Sequence, residues 1–234
     1  MLNIAELRAG YPGRANAVDG LSLVVLPGEN VALIGANGAG KTTLMLAVAG
    51  VLQAEGGTIA VDGILLEKKT LNEIRARVGL VFQNPDDQLF MPSVFDDIAF
   101  GPRNYGLAEA EVREKAEEVM ARLGISHLGG RSALRLSGGE KRTAAIATVL
   151  AMEPSLLLFD EPTAFLDLKA RRTLIRLLGP MPQAKLIASH DLPFLLETCK
   201  RAVLMKDGKI FADGPTEALL RDRPLMEACD LEAL

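Results

Sequence analysis

A chain of 234 residues, 49% of them apolar, is long enough to bury a core and short enough to form one domain with a subdomain. The net charge is −4 with both signs interspersed, which is not the long basic surface that a dedicated nucleic-acid binder uses to neutralise phosphates, so no nucleic-acid partner is expected. Cys199 and Cys229 show no metal-ligand spacing and suit a reducing compartment, Met1-Leu2-Asn3-Ile4-Ala5-Glu6 lacks the features of a secretory signal, and no apolar run approaches the roughly 18 residues of a membrane span.

In chain order, apolar alternation predicts strands over 2–7 and 21–26, and a short continuous apolar run predicts a buried strand over 31–34. A helix follows over 41–51, then a strand over 58–61 and a buried strand over 79–82. Residues 108–123 carry Val112, Ala116, Val119, Met120 and Leu123 at spacings of three and four, the stripe of an amphipathic helix. A more apolar helix covers 140–152 and is ended by Glu153-Pro154, since proline disfavours helix in the residue before it. Buried strands follow over 156–159 and 186–189, and strands over 203–205 and 209–212 flank Lys206-Asp207-Gly208 as a hairpin. Alternating apolar strands and helices give an α/β chain with a mostly parallel sheet. The strands near the N-terminus form a smaller antiparallel sheet, and the stretch from about 84 to 151, with helices and no good strand, reads as a helical subdomain inserted into one domain over 1–234.

Gly35-Ala36-Asn37-Gly38-Ala39-Gly40-Lys41-Thr42 has the spacing of a phosphate-binding loop and lies between a buried strand and a helix. Its glycines let successive backbone N–H groups point inward, and the N-terminus of the next helix adds a favourable potential for phosphate. Lys41 is suited to reach the β- and γ-phosphates, Thr42 to bind Mg²⁺ through its hydroxyl, and Thr43 completes the nucleotide-binding set. Leu156-Leu157-Leu158-Phe159-Asp160-Glu161 places two carboxylates at the carboxyl edge of the sheet, where ligands of open α/β folds bind. Asp160 is the expected holder of the Mg²⁺ shell, and Glu161 the base that orients and deprotonates the attacking water. An acidic strand end alone is often a solvated boundary or helix cap; beside a phosphate loop it reads as a Walker-B strand.

Leu136-Ser137-Gly138-Gly139-Glu140, with Ser137 standing 23 residues before Asp160 and a helix following, resembles the signature motif of ATP-binding-cassette (ABC) proteins, and the resemblance extends over practically the whole chain. It implies a P-loop NTPase core of the RecA-like type carrying the antiparallel and helical subdomains, with ATP and Mg²⁺ as ligands. In that family Tyr11 matches the aromatic that stacks on adenine, Gln83 the residue that contacts Mg²⁺ and the water, Asp167 the end of the loop linking two active sites, and His190 the switch histidine at the γ-phosphate. Ser137, Gly138, Gly139 and Glu140 are implied to serve the nucleotide of a second subunit, so that two chains sandwich two ATP molecules. Phe165 departs from the family, which usually has a small residue there.

Within that family, Val81 to Phe90 with its second glutamine, Gln88, and the run Asp96-Asp97-Ile98-Ala99-Phe100-Gly101 resemble ATPases of energy-coupling-factor importers. The resemblance implies a peripheral protein on the cytoplasmic face of the membrane, paired with a second ATPase, identical or paralogous, beneath a transmembrane scaffold and a substrate-binding membrane subunit. The short chain end resembles cobalt or nickel importers; biotin or other vitamin importers, or another ABC transporter, are the alternatives. A chromosome-organising ATPase would need a long coiled coil between the phosphate loop and the signature, and only 96 positions separate Lys41 from Ser137, without sustained heptads. A small-molecule kinase would not need the signature.

Overall fold

The computed structural model describes residues 1–11 and 14–234, with residues 14 and 15 described through their backbone alone. Pro12 and Gly13, which follow Tyr11, lie outside the described residues. In chain order the elements are β1 (Leu2–Tyr11), β2 (Arg14–Val25), β3 (Asn30–Ile34), α1 (Lys41–Val48), β4 (Gly56–Val61), β5 (Ile64–Leu65), α2 (Leu71–Arg77), β6 (Val78–Val81), α3 (Val94–Asn104), α4 (Glu109–Arg122) and α5 (Gly138–Leu150). They continue with β7 (Leu156–Asp160), α6 (Leu168–Leu178), β8 (Ala184–Ala188), α7 (Leu192–Thr198), β9 (Arg201–Lys206), β10 (Lys209–Pro215), α8 (Thr216–Arg221) and α9 (Arg223–Ala228). Two compact units result, one of Met1–Leu80, Ser155–Glu161 and Pro182–Leu234, the other of Val81–Pro154 and Pro162–Met181.

The first unit holds two sheets. One is antiparallel in the order β2-β1-β4-β5; the other has the order β10-β9-β3-β8-β7-β6, with β9, β3, β8 and β7 mutually parallel and β10 antiparallel at one edge. β7 and β8 are buried at every position, which is why their sequences lack the alternation of a half-exposed strand. β1 does alternate, burying Leu2, Ile4, Leu7 and Ala9. Leu44, Met45, Ala47 and Val48 of α1 join residues of both sheets in one hydrophobic cluster. Full burial of a leucine or methionine contributes about 1.5–3 kcal/mol, so α1 is anchored by packing while its first turn stays free to present backbone N–H groups.

Several elements differ in extent from the sequence reading for local physical reasons. α1 stops at Val48, short of 51, with Gly50 at φ +64 just beyond it. β8 starts at Ala184, where it pairs with Leu156 of β7; the start was obscured in the sequence by Lys185, which is buried and donates to the Gln183 carbonyl at 2.9 Å and to Asn30 Oδ1 at 3.2 Å. The hairpin of β9 and β10 turns through Asp207 and Gly208, both with positive φ, the conformation that a tight two-residue hairpin needs. That turn also supports the phosphate loop: the Gly208 N–H donates to the Ala39 carbonyl at 3.1 Å.

The second unit is helical. α3 begins with a Ser93 cap that accepts from the Asp96 N–H at 3.2 Å, and α4 buries Val112, Ala116, Val119 and Met120 of the stripe read from the sequence, while Leu123 lies just past the helix end and is half-buried. α5 opens with a reciprocal cap, in which the Glu140 carboxylate accepts from the Ser137 N–H at 2.7 Å and the Ser137 hydroxyl from the Glu140 N–H at 3.4 Å. α6 was not anticipated; only Leu174 and Leu178 of its eleven residues are buried, too sparse a stripe to read.

Candidate functional site

In the first unit β3 runs into the loop at 35–40 and α1 starts at Lys41. Two of the loop's glycines are required by close approach of backbone. A Cβ on Gly35 would stand 2.5 Å from the Met205 carbonyl oxygen, and one on Gly40, which is at φ +105, would run into the Ala17 carbonyl oxygen. The loop therefore curls tightly against β9 and β2.

Lys41 is buried, and its Nζ donates to the Gly35 carbonyl at 2.5 Å and the Ala36 carbonyl at 3.2 Å. Burial lowers its pKa, and the nearby Glu161 and Asp160 carboxylates oppose that shift. Thr42 Oγ1 donates to Asp160 Oδ2 at 2.8 Å, tying the loop to the end of β7. A hydroxyl and a carboxylate oxygen brought together in this way are hard donors of the kind Mg²⁺ takes.

Glu161 follows β7 in a left-handed conformation, φ +45, with its N–H bound to the Ala188 carbonyl at 2.9 Å. Non-glycine residues held in that region cluster at functional sites. One carboxylate oxygen, Oε2, accepts from the His190 N–H at 3.1 Å; the other, Oε1, is buried with no hydrogen-bond partner, although His190 Nε2 stands 3.4 Å away. His190 Nε2 is also 3.2 Å from Asn37 Oδ1 and 3.4 Å from Lys41 Nζ. One nitrogen cannot donate to the amide oxygen and accept from the ammonium in the same tautomer, so the ring has two alternative hydrogen-bonding states here. Lys41, Thr42, Asp160, Glu161, His190 and Asn37 thus converge, while Tyr11, at the end of β1, is exposed.

In the second unit, Gln83 follows β6, and its carbonyl and that of Phe82 each accept from the Arg142 guanidinium at 2.6 Å. Ser137, Gly138 and Gly139 line a cavity of about 520 Å³ together with Phe165, Asp167 and Lys169. The Ser137 hydroxyl also lies 2.7 Å from Glu140 Oε2, and the hydrogen bonds from Ser137 hold the Glu140 carboxyl below its usual pKa. Asp167 caps α6, accepting from the Ala170 N–H at 2.7 Å. Phe165, at φ +63 and 84% exposed, presents its ring to solvent. Sequence reasoning missed Arg142. A cation on the face of α5 that also buries Ala145 and Ile146 was the available signal.

The family profile described as ABC transporter matches residues 18–164, from β2 through the phosphate loop, the signature and the Walker-B strand. This chain belongs to the ABC transporter family. As an ABC protein it is an ATP-binding, ATP-hydrolysing subunit of a transporter. An ABC transporter ATP-binding protein of Geobacter sulfurreducens, named with no substrate, is 44% identical over 99% of this chain and 93% of that protein. The energy-coupling factor transporter ATP-binding protein EcfA of Methanothermobacter thermautotrophicus is 40% identical over 99% of this chain and 76% of its own length. The cobalt import ATP-binding protein CbiO of Rhodobacter capsulatus is 44% identical over 95% of this chain and 81% of its own. Among solved structures, cbiO1 from Clostridium perfringens, part of the ABC transporter complex cbiONQ, superposes with a TM-score of 0.85 at 33% identity, covering 97% of this ABC chain and 93% of that one. Among the described residues no helix is long and apolar enough to cross a membrane.

Proposed function

We propose that this ABC ATPase energises an importer of the energy-coupling-factor type, with cobalt or nickel ions as cargo, as one nucleotide-binding domain over 1–234 that works from the cytoplasmic face of the membrane. The observation that carries the catalytic part is Thr42 bonded to Asp160 beside a Glu161 oxygen left without a partner. The resemblance of 81–101 to energy-coupling-factor ATPases and the similarity to EcfA and CbiO support the transport part.

In this reading the backbone of Gly35, Ala36, Asn37, Gly38, Ala39 and Gly40 cradles the phosphates of ATP, with Lys41, Thr42 and Thr43, and Tyr11 stacks on the adenine. Thr42, Asp160 and Gln83 are the proposed holders of Mg²⁺, which when bound neutralises phosphate charge. Glu161 Oε1 is the proposed proton acceptor for the attacking water. His190 is held by Asn37 and by the Glu161 carboxylate so that its ring is available to the γ-phosphate. Ser137, Gly138, Gly139, Glu140 and Asp167 are assigned to the nucleotide of a second ATPase subunit, identical or paralogous, so that ATP joins the pair and its hydrolysis releases it. A transmembrane scaffold and a substrate-binding membrane subunit complete the complex.

The test is uptake by the intact complex, purified from membranes and reconstituted in vesicles with ATP on the ATPase side. ATP-dependent uptake of Co²⁺ or Ni²⁺ is expected. Import of biotin without either metal overturns the cargo.

A further inference from the structure

Arg142 is the largest fully buried side chain among the described residues, with 2% of its surface exposed. Burial pulls its pKa down to about 10 and no neighbouring carboxylate opposes the shift, so it stays a cation at neutral pH without a counter-ion. Its Nε hydrogen has no hydrogen-bond partner. A buried charge in this state is unfavourable for stability, and an apolar residue of similar volume is often as good or better. Packing therefore does not explain Arg142.

Its contacts do. The guanidinium sits five positions after Ser137 on the helix that the signature opens, and its two terminal nitrogens grip consecutive carbonyls, those of Phe82 and Gln83, at 2.6 Å each. A planar fork of this kind fixes two peptide planes together, which a lysine ammonium does not. The same helix holds the loop at two other points: Lys141 Nζ donates to Asp86 Oδ1 at 2.6 Å, and Gln88 Nε2 donates to the Ala145 carbonyl and to Thr148 Oγ1, each at 2.8 Å. Gln88 Oε1 in turn accepts from the Phe82 N–H at 3.2 Å. Of these ties, the one from Arg142 alone reaches the backbone of Gln83 itself.

We propose that Arg142 is a positioning residue that makes the Gln83 side chain follow the signature helix, so that hydrolysis is competent only when Ser137-Gly138-Gly139 is engaged. This rests on the roles assigned above to Gln83 and the signature. Because Lys41 and Thr42 are not touched by it, loss of the fork acts on turnover and leaves ATP affinity in place.

The experiment compares ATP hydrolysis by the complete transporter complex carrying wild-type chain, Arg142→Met or Arg142→Lys. Arg142→Met lowers kcat at least about 10-fold while KM for ATP stays within about 3-fold, and Arg142→Lys, which keeps the charge and one hydrogen bond, recovers part of the loss. Amide hydrogen exchange at Gln83, Asn84 and Asp86 becomes faster in both variants. Wild-type kcat in folded Arg142→Met, a loss confined to KM, or a lysine variant no better than methionine overturns the inference. Where Arg142→Met does not fold, Arg142→Lys decides alone: reduced kcat with faster exchange supports the role, and wild-type values of both overturn it. Glu161→Gln is assayed in parallel. Wild-type hydrolysis by that variant defeats the catalytic reading itself, whereas an inactive Glu161→Gln beside a fully active Arg142→Met defeats the Arg142 role only.

Discussion

Thr42 Oγ1 and Asp160 Oδ2 stand 2.8 Å apart although 118 positions separate them in the chain. The bond joins the first turn of α1 to the last residue of β7, and both partners are candidates for the same cation. In Asp160→Asn the half-saturating Mg²⁺ concentration for ATP hydrolysis rises about 10–100-fold, because a neutral amide replaces the carboxylate that Thr42 touches. A Mg²⁺ titration of steady-state hydrolysis measures it; an unchanged midpoint would remove Asp160 from the metal site.

Glu161→Gln keeps the backbone bond to Ala188 and a side-chain oxygen for the His190 N–H, but the amide cannot take a proton from water. Hydrolysis slows about 10²–10⁴-fold while ATP binding persists. Equilibrium binding of a fluorescent ATP analogue and a phosphate-release assay on the same preparation separate the two effects. Binding lost together with turnover would mean that Glu161 holds the site's structure.

Gly40 is at φ +105 with the Ala17 carbonyl oxygen where a side chain would be. Gly40→Ala therefore requires both a strained backbone and displacement of β2, and lowers unfolding stability by at least about 2 kcal/mol. Urea denaturation reads the loss, and nucleotide binding falls with it. A variant of wild-type stability would show that the loop relaxes more easily than its contacts indicate.

Burial pushes the Lys185 pKa down to about 8 from 10.5. Between those values the folded chain holds fewer protons than the unfolded chain, so the penalty for burying the ammonium shrinks as pH rises and this group adds stability. Below pH 8 the penalty is fully present and does not vary. Wild-type chain accordingly gains on the order of 1–2 kcal/mol relative to Lys185→Met between pH 7 and 10, after allowance for solvent screening. Parallel urea melts at the two pH values decide, and a gap that stays constant refutes it.

The strand, loop and helix around Lys41 were legible because each is specified locally: an apolar run, a glycine spacing and a helix start all lie between residues 31 and 42. Asp160 was legible for the same reason, as the end of a continuous apolar strand. β1 was read as ending at residue 7 and β2 as starting at residue 21, whereas the strands run to Tyr11 and from Arg14. Arg8 pairs with Asp19 and Ala9 with Val18; that extension depends on cross-strand pairing, which leaves no periodic trace. Asn37 was placed in the loop by its spacing, but its contact with His190 joins positions 153 apart. Arg142 showed in the sequence only as a cation on a buried helix face; its role stayed hidden because its partners are main-chain carbonyls, which have no residue type to recognise.

The reciprocal cap between Ser137 and Glu140 changes how genetic data on this chain are to be interpreted. Ser137→Ala deletes a hydroxyl from the surface proposed for the second nucleotide and also frays the start of α5, a loss of about 1 kcal/mol. A defective phenotype at that position is thus ambiguous between lost recognition and lost architecture. Ser137→Asn separates them: it retains an acceptor for the Glu140 N–H and puts no second carboxylate beside Glu140 Oε2, while a bulkier amide replaces the hydroxyl presented to an incoming phosphate, so a helix that stays intact in a protein that no longer pairs assigns the defect to recognition.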